Sequence, residues 1–196
     1  MSLLLALADN NLLDAFWRIV VRQYWCSPVP PFNILDGAAY NTSVTLTDVS
    51  PAPQVTIPAN FLEVGSTIRI SAIAKFSNTG TPTLLLGAYY GGVAGVALAA
   101  SSAITTTTAA TNWPITMYYE GRVRSVGTSG TIVGAGWIDL ATSLTALTHR
   151  PIPETAIASV TIDTTVAKAI TMGAQWGTSN AANTLTCVHF AVELWS

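Results

Sequence analysis

Charged side chains are scarce in this chain. Asp, Glu, Lys and Arg make up 9% of its 196 residues, against roughly 25% in an average soluble protein. So few charges favour a protein whose surface is largely covered by partner subunits, because a monomer depends on charged side chains for solubility. The net charge of −2 also argues against a nucleic-acid partner, since binding to phosphates needs a clustered basic surface.

Cysteine and histidine are scarce as well, with two of each. Cys26 and Cys187 lie far apart, and neither has a second ligand residue at a metal-binding spacing, so the sequence predicts no zinc site and no redox motif. Two reduced thiols, with Cys187 packed inside a strand, are favoured over a disulfide between them. We predict that the protein holds no metal and no cofactor.

Residues that could carry catalysis are spread singly along the chain. His149 is predicted to lie in a turn and His189 on the last strand, and no nucleophile elbow or Cys-His signature surrounds either of them. The acidic residues, Glu120 among them, are not paired in the sequence, although a glycosidase pair could assemble from distant strands. We therefore predict that the protein is not an enzyme, with a hydrolase of the cell envelope that uses His189 or Glu120 as an alternative.

Aromatic residues offer a second alternative, a platform for binding sugars. The candidates are Tyr89, Tyr90, Trp113, Tyr118, Trp137 and Trp176. Aromatic side chains on a β-sandwich more often belong to the core or to a subunit interface. Sugar binding is therefore the less favoured of these interpretations.

Alternation of apolar and polar residues dominates the chain from residue 41 onward. The clearest stretch, residues 61–90, predicts two strands joined by a turn at Thr79–Pro82. The residues on the apolar face of its first strand are Ile68, Ile70, Ala72, Ala74 and Phe76, and Ile73 alone breaks the alternation. Strands separated by turns rich in Pro, Gly and Thr, with no helix among them, predict an all-β fold, an antiparallel, jelly-roll-like β-sandwich. An immunoglobulin-type Greek-key sandwich is the alternative.

The beginning of the chain has a different pattern. Asn11 is a suitable N-cap with Asp14 in the first turn, which predicts an α-helix from Leu12 to Trp25 that ends at the proline-rich segment Ser27–Pro31. Apolar residues cover more than half of its circumference. The candidates that we assign to assembly or anchoring are Leu12, Leu13, Phe16, Trp17, Val20, Tyr24 and Trp25.

This helix predicts an N-terminal arm that either packs on the sandwich or serves as an anchoring or trimerising element. We divide the chain into the helical arm with its linker, residues 1–35, and the β-sandwich domain, residues 36–196. The apolar start at residues 1–8 lacks the basic region of a signal peptide, and charges interrupt the chain before a membrane-spanning length is reached. We predict no signal peptide and no membrane partner.

The segment IPANFLEVGSTIRI at residues 57–70, followed by TGTPTL at residues 79–84 and by Gly87, resembles a pattern found in virion proteins of tailed bacteriophages. Those proteins are small jelly-roll domains, often trimeric, that serve as capsid decoration proteins, head fibres or minor tail components. The resemblance implies a structural protein of the virion, made in the host cytoplasm, that forms a homotrimer and binds the major capsid protein. A tail, baseplate or head-fibre module that recognises host surface glycans is the alternative.

Overall fold

The structure is a computed structural model and describes residues 25–26 and 36–195. These residues contain no helix, which confirms the predicted all-β class for the described part of the chain. The strands in chain order are β1 Trp25–Cys26, β2 Thr47–Asp48, β3 Val55–Ile57, β4 Thr67–Ser77, β5 Thr83–Tyr90, β6 Val96–Ala100, β7 Ile104–Thr105, β8 Trp113–Ser125, β9 Gly130–Ser143, β10 Ala146–Ile152, β11 Val160–Ile162, β12 Lys168–Trp176 and β13 Thr184–Trp195.

The strands form two antiparallel sheets. The seven-stranded sheet has the order β1-β13-β4-β8-β9-β10, with β11 also paired to β9. The six-stranded sheet has the order β2-β12-β5-β6, with β3 paired to β12 and β7 paired to β5. Buried residues from both sheets belong to one hydrophobic core, so the predicted β-sandwich is confirmed.

The core lies between the two sheets and follows the alternation read from the sequence. On β4 the buried side chains Ile68, Ile70 and Phe76 alternate with more exposed neighbours. Ile73, the apolar residue that broke the pattern, is exposed on the outer face of the seven-stranded sheet. Trp176 at the end of β12 is among the largest fully buried side chains.

A β-bulge in β13 corrects the faces that the sequence predicts for this strand. Strict alternation predicts one face with Val188, Phe190, Val192 and Leu194 and the other with Cys187, His189, Ala191 and Glu193. The register shifts so that Cys187 pairs with Ala74 while His189 pairs with Ile73. The extra residue reverses the alternation, and both Cys187 and Val192 are therefore buried. A strict alternation places these two residues on opposite faces, which is wrong, whereas the predicted burial of Cys187 in a strand is confirmed.

Two further local predictions are wrong. Trp25, predicted as the last helical residue, lies in β1 and pairs with Leu194, because the edge of β13 offers unpaired backbone groups. His149 lies in strand β10 rather than in a turn, paired with Asp139 of β9. The rest of the predicted helix lies outside the described residues, with the anchor candidates Leu12, Leu13, Phe16, Trp17, Val20 and Tyr24.

Candidate interaction surface

A group of ionic and aromatic side chains crosses the outer face of the seven-stranded sheet. We call it the outer-face cluster, and its members are Arg69, Tyr118, Glu120, Trp137, Glu193 and Trp195. The strand register assembles it, because Arg69 of β4 lies opposite Glu193 on one side and Glu120 on the other. Tyr118 of β8 lies opposite Trp137 of β9. Residues that face each other in an antiparallel pair share one face of the sheet, so the cluster points away from the core.

Arg69 occupies the centre of this cluster. Its guanidinium donates hydrogen bonds to Oε2 of Glu120 from Nε at 3.1 Å and from Nη2 at 3.0 Å, and to Oε2 of Glu193 from Nη1 at 3.3 Å. Its Cζ atom lies 4.2 Å from the centroid of the Trp195 ring. The hydrogen bonds to Glu120 raise the pKa of Arg69, so the cation is stabilised by its carboxylate and aromatic neighbours.

Tyr118 connects Arg69 to Trp137. The rings of Tyr118 and Trp137 stack with centroids 4.3 Å apart and an interplanar angle of 23°, and Arg69 Cζ lies 5.9 Å from the Tyr118 centroid. Since β4 and β9 flank β8 on opposite sides, both faces of the Tyr118 ring have a neighbour. The Tyr118 hydroxyl donates to Oε2 of Glu120 at 2.6 Å, and burial raises the pKa of Tyr118.

Two of the acidic residues that are isolated in the sequence converge here. Glu120 and Glu193 approach Arg69 from two different strands, an arrangement that only the pairing of β13, β4 and β8 brings about. Hydrogen bonds from Tyr118, and then from Arg69, lower the pKa of Glu120. A general acid at neutral pH needs a raised pKa, so Glu120 is suited to holding Arg69 rather than to donating a proton.

Exposed apolar side chains accompany the cluster on this face. Trp137 is 39% exposed and Trp195 47% exposed, and Ile73 on β4 is also open to solvent. Leu147 on β10 is exposed as well. Tryptophan, tyrosine and arginine are the residue types that contribute most at protein interfaces. This face therefore has the composition of a protein-binding surface.

The outer face of the six-stranded sheet differs, because its own chain partly covers it. A side chain at Gly173 of β12 would meet the Val93 side chain, from the loop after β5, at 2.8 Å. Tyr89 beside it is 5% exposed although it points away from the core. Close contacts within the chain thus fill the middle of this face and leave the seven-stranded sheet as the more open surface.

The six residues predicted as a sugar platform do not lie together. Three of them are buried: Tyr89, Tyr90 and Trp176. Trp113 packs on the edge of the core. Only Tyr118 and Trp137 share the outer face, and Tyr118 has neighbours on both sides of its ring. The face of Trp137 turned away from Tyr118 is the one aromatic surface of this set that a sugar could still contact.

The two histidines lie on different strands of the outer face. Nδ1 of His149 lies 2.7 Å from Oδ1 of Asp139, and in the described part of the chain no hydroxyl or thiol forms a hydrogen bond with His149. The Cys187 thiol donates to the backbone carbonyl of His189 at 3.2 Å. Burial raises the pKa of Cys187 to about 12, so this thiol stays protonated near neutral pH and is a poor nucleophile.

A shallow cavity of about 520 Å³ opens at the edge of the seven-stranded sheet, between the end of β10 and the segment that follows. Nη1 of Arg150 lies 3.6 Å from Oε1 of Glu154 at its wall. Pro151, which lines the cavity, lies opposite Trp137 in the strand register. The two charged groups that line this cavity thus lie beside each other.

Among residues 25–26 and 36–195, no group of three or more His, Cys, Asp or Glu side chains is placed to hold a metal ion. In the same residues, no helix is long and apolar enough to span a membrane. No protein-family model matches the chain, and no curated protein matches it. Fold and surface together define an all-β sandwich with an ionic and aromatic cluster on the outer face of one sheet.

Proposed function

We propose that this chain is a non-enzymatic structural protein of a tailed-bacteriophage virion. In this proposal it forms a homotrimer that binds the outer capsid surface through the major capsid protein and stabilises the shell as a decoration protein. The observation that carries the proposal is the outer-face cluster, in which Arg69 is bound by Glu120 and Glu193 and lies near the rings of Tyr118 and the exposed Trp195. The resemblance of residues 57–70 to phage virion proteins supports the setting.

The sandwich is, in our proposal, a jelly roll. Its strand pairs are nested, since β1 pairs with β13, β3 with β12, β4 with β8 and β5 with β6. Nested pairing is what results when one long hairpin is wrapped across two sheets, and a jelly roll is such an arrangement of two Greek keys. Strands β9, β10 and β11 then extend one sheet beyond this frame.

The outer face of the seven-stranded sheet approaches the size of a standard protein interface. Five neighbouring strands, β13, β4, β8, β9 and β10, span roughly 19 Å at about 4.8 Å per strand, and ten residues of a strand extend about 33 Å. The product, roughly 600 Å² before side-chain relief is counted, approaches the ~800 Å² per partner of a standard interface. Covering this face also accounts for the scarcity of charge.

Stabilisation of the shell follows from mass action. A protein that binds the assembled lattice but not free capsid subunits lowers the free energy of the assembled state by RT ln(1 + [L]/Kd) for each site, where [L] is its free concentration. A trimer with identical arms can contact several neighbouring capsid subunits at once, so that the weak contacts of each arm add up. No chemical step is needed for this activity.

Self-association is tested by sedimentation equilibrium of the purified chain. We expect the mass of a homotrimer for the natural sequence, and the double variant Ile73→Ser with Trp137→Ser should shift the protein toward the monomer. Leu144→Ser is the matched control, because Leu144 is exposed in the turn between β9 and β10 rather than on the outer-face cluster. A monomeric natural protein, or a double variant that remains trimeric, would contradict the proposed interface.

The arm at residues 1–35 is a second element of the proposal, as the anchor to the virion. Because Trp25 and Cys26 pair with β13, a deletion that tests the arm should remove residues 1–24 and keep β1. The shortened protein should remain folded and oligomeric and should no longer attach to virions. Attachment at the level of the full chain would show that the arm is not the anchor.

A glycan-binding module of the tail, baseplate or head fibre is the second candidate, and Trp137 is the observation that favours it. One face of its ring points away from Tyr118, and Trp137 lies opposite Pro151 at the cavity. A glycan array with the natural protein and Trp137→Ala tests this candidate. Binding that is lost in the variant would favour it over the decoration protein.

A further inference from the structure

Strand β10 forms an open edge of the seven-stranded sheet. It pairs with β9 on one side, and in the described part of the chain no strand pairs with its other side. At the opposite edge of this sheet, β1 pairs with β13. An open edge carries unpaired N–H and C=O groups, which natural proteins usually protect with lysine, proline or a covering segment. Strand β10 has no lysine and a single proline, so most of this edge is available to another strand.

The strand register shows which residues of β10 point their backbone groups at this edge. A Cβ atom at Gly136 would overlap the carbonyl oxygen of Tyr118, so this carbonyl points from β8 toward β9, where Tyr118 lies opposite Trp137. The backbone groups of Trp137 therefore bond to β8 and point away from β10. Pro151 lies opposite Trp137, so its own backbone groups point away from β9. A proline fits this position, because it has no N–H to offer to β9.

Alternate residues of a strand share one direction, so Leu147 and His149 also point their N–H and C=O groups at the open edge. In the part of the chain that the structure describes, the backbone of neither residue forms a hydrogen bond outside the ladders of the sheets. With the carbonyl of Pro151, the edge offers two N–H groups and three C=O groups in the spacing of a strand. Another extended strand is the partner that satisfies such a row.

Exposed apolar side chains flank the same edge. Leu144 in the turn before β10 is 80% exposed, Leu147 within β10 is 62% exposed, and Ile157 in the segment after β10 is 60% exposed. Among the large apolar side chains that the structure describes, only Val64 is as exposed as these. Apolar side chains gathered beside unpaired backbone groups are typical of a surface that another protein covers.

We propose that β10 pairs in antiparallel direction with β10 of a second copy of this chain, about a twofold axis at His149. Strand β10 covers Ala146–Ile152, and His149 is its middle residue, so this axis gives the two strands their full overlap. The N–H and C=O groups of His149 then bond to those of the partner's His149. The N–H of Leu147 donates to the carbonyl of the partner's Pro151, which makes four backbone hydrogen bonds by symmetry.

The match between side chains is what assigns the edge to a second copy. Because the partner strand runs in the opposite direction, the turn that carries Leu144 lies beside the partner's segment after β10, which carries Ile157. Leu147 lies opposite the partner's Pro151 on the same face of the joined sheet. The exposed apolar side chains thus cover one another in a self-complementary contact. A strand of unrelated sequence offers the backbone bonds but not this match.

This contact goes beyond the proposed function and is separate from it. It uses the edge of the sheet rather than the outer-face cluster, and it does not depend on where the protein is found. It is also smaller than a standard interface, since one short strand and a few side chains form it. Two copies of the species present at low concentration should therefore associate only as the concentration rises.

The test is the mass of the purified natural chain, measured by sedimentation as its concentration rises from about 10 µM to about 1 mM, a range that suits a weak contact. The mass should double, whether the species at low concentration is a monomer or a trimer. His149→Pro should abolish the doubling, because it removes an N–H that points away from β9 and leaves the bonds to β9 in place. The matched control, His149→Ala, removes the same side chain but keeps the N–H and should still double.

A natural chain whose mass does not double, or a folded His149→Pro variant whose mass still doubles, would overturn the inference. If His149→Pro does not fold, His149→Cys decides. Hydrogen-bonded antiparallel pairs place their Cα atoms about 5.5 Å apart, within reach of a disulfide, so oxidation should link two copies through position 149, as mapped by mass spectrometry. Thr116→Cys, at an exposed position of β8, is the control and should form no such link. Absence of the link at position 149 would refute the pairing and leave the proposed function untouched.

Discussion

The Cζ atom of Arg69 lies 4.2 Å from the centre of the Trp195 ring. The same guanidinium contacts carboxylates from two strands, Glu120 on β8 and Glu193 on β13. An arginine with these partners has little freedom to change rotamer, because its planar group is matched by both the ring and the acids. Arg69 and these partners therefore form the centre of the face through which we propose that subunits associate.

Glu120 should make the stability of the sandwich depend on pH in the acid range. Its pKa is lowered in the folded state by hydrogen bonds from Tyr118 and Arg69, so its contribution is complete above the ordinary pKa of about 4.3 and is lost as the pH falls through the lowered value. Denaturant unfolding between about pH 5 and pH 3 should show a smaller loss of stability for Glu120→Gln than for the natural chain.

Solvent screening limits how far the unfolding free energies of Glu120→Gln and the natural chain differ. The Glu120 side chain is 43% exposed, so screening keeps the expected difference in unfolding free energy below about 1 kcal/mol. Tyr118→Phe removes the first of the two donors and should reduce the pH dependence in the same direction. Identical pH profiles for the natural chain and for Glu120→Gln would contradict the assignment.

Tyr119 carries a hydroxyl that is buried and, among the described residues, has no hydrogen-bond partner. Burial also raises the pKa of Tyr119. Tyr119→Phe removes this unsatisfied group and should raise the unfolding free energy by about 1 kcal/mol. Tyr90→Phe is the matched control, because the Tyr90 hydroxyl donates to the carbonyl of Asp163 at 3.1 Å, and it should lower stability by about 1 kcal/mol. Equal losses in both variants would refute the prediction.

Gly136 allows β9 to approach β8 closely. A Cβ atom at this position would overlap the carbonyl oxygen of Tyr118 and lie 2.8 Å from its carbonyl carbon. Backbone cannot swing aside as a side chain can, so Gly136→Ala should destabilise the fold by about 3 kcal/mol or more. Gly92→Ala is the control, since nothing lies within 4 Å and only its positive φ opposes the change, at about 1–2 kcal/mol. Similar urea midpoints for the two variants would show that β9 shifts to accommodate the added methyl group, and would contradict the prediction.

Cys187 should resist alkylation in the native protein. Its thiol is free and buried, and its pKa is raised to about 12. Iodoacetamide at pH 8 should therefore modify the Cys187 peptide at least about 100-fold more slowly in buffer than in urea, as followed by mass spectrometry. Equal rates would contradict the burial, and a peptide that reacts in urea only after reduction would reveal a disulfide.

Local alternation predicted the parts of the fold in which one face of a strand is buried. The apolar face from Ile68 to Phe76 became the inner side of β4, because a strand with one buried face has a strong preference for one register. The outer-face cluster was not predictable in this way. Arg69, Glu120 and Glu193 are far apart in the sequence, and only the pairing of distant strands brings them together.

The other wrong predictions concern a β-bulge and a pairing at the edge of a sheet. The bulge beside Cys187 changes the face of every later residue of β13, and no local composition marks it. Trp25 follows a helical pattern in the sequence but pairs with the open edge of β13. Long-range pairing decided both positions, which is the type of information that a single sequence contains least.

The most direct test of the proposed function is the copy number of this protein in purified virions of a tailed phage whose genome carries this sequence, measured by quantitative mass spectrometry with labelled peptides. A decoration protein should be present in proportion to the subunits of the capsid lattice, because its sites repeat with that lattice. A few copies per particle would place it on the tail or at a single vertex. Its complete absence from virions would contradict the proposal that it is a structural protein of the particle.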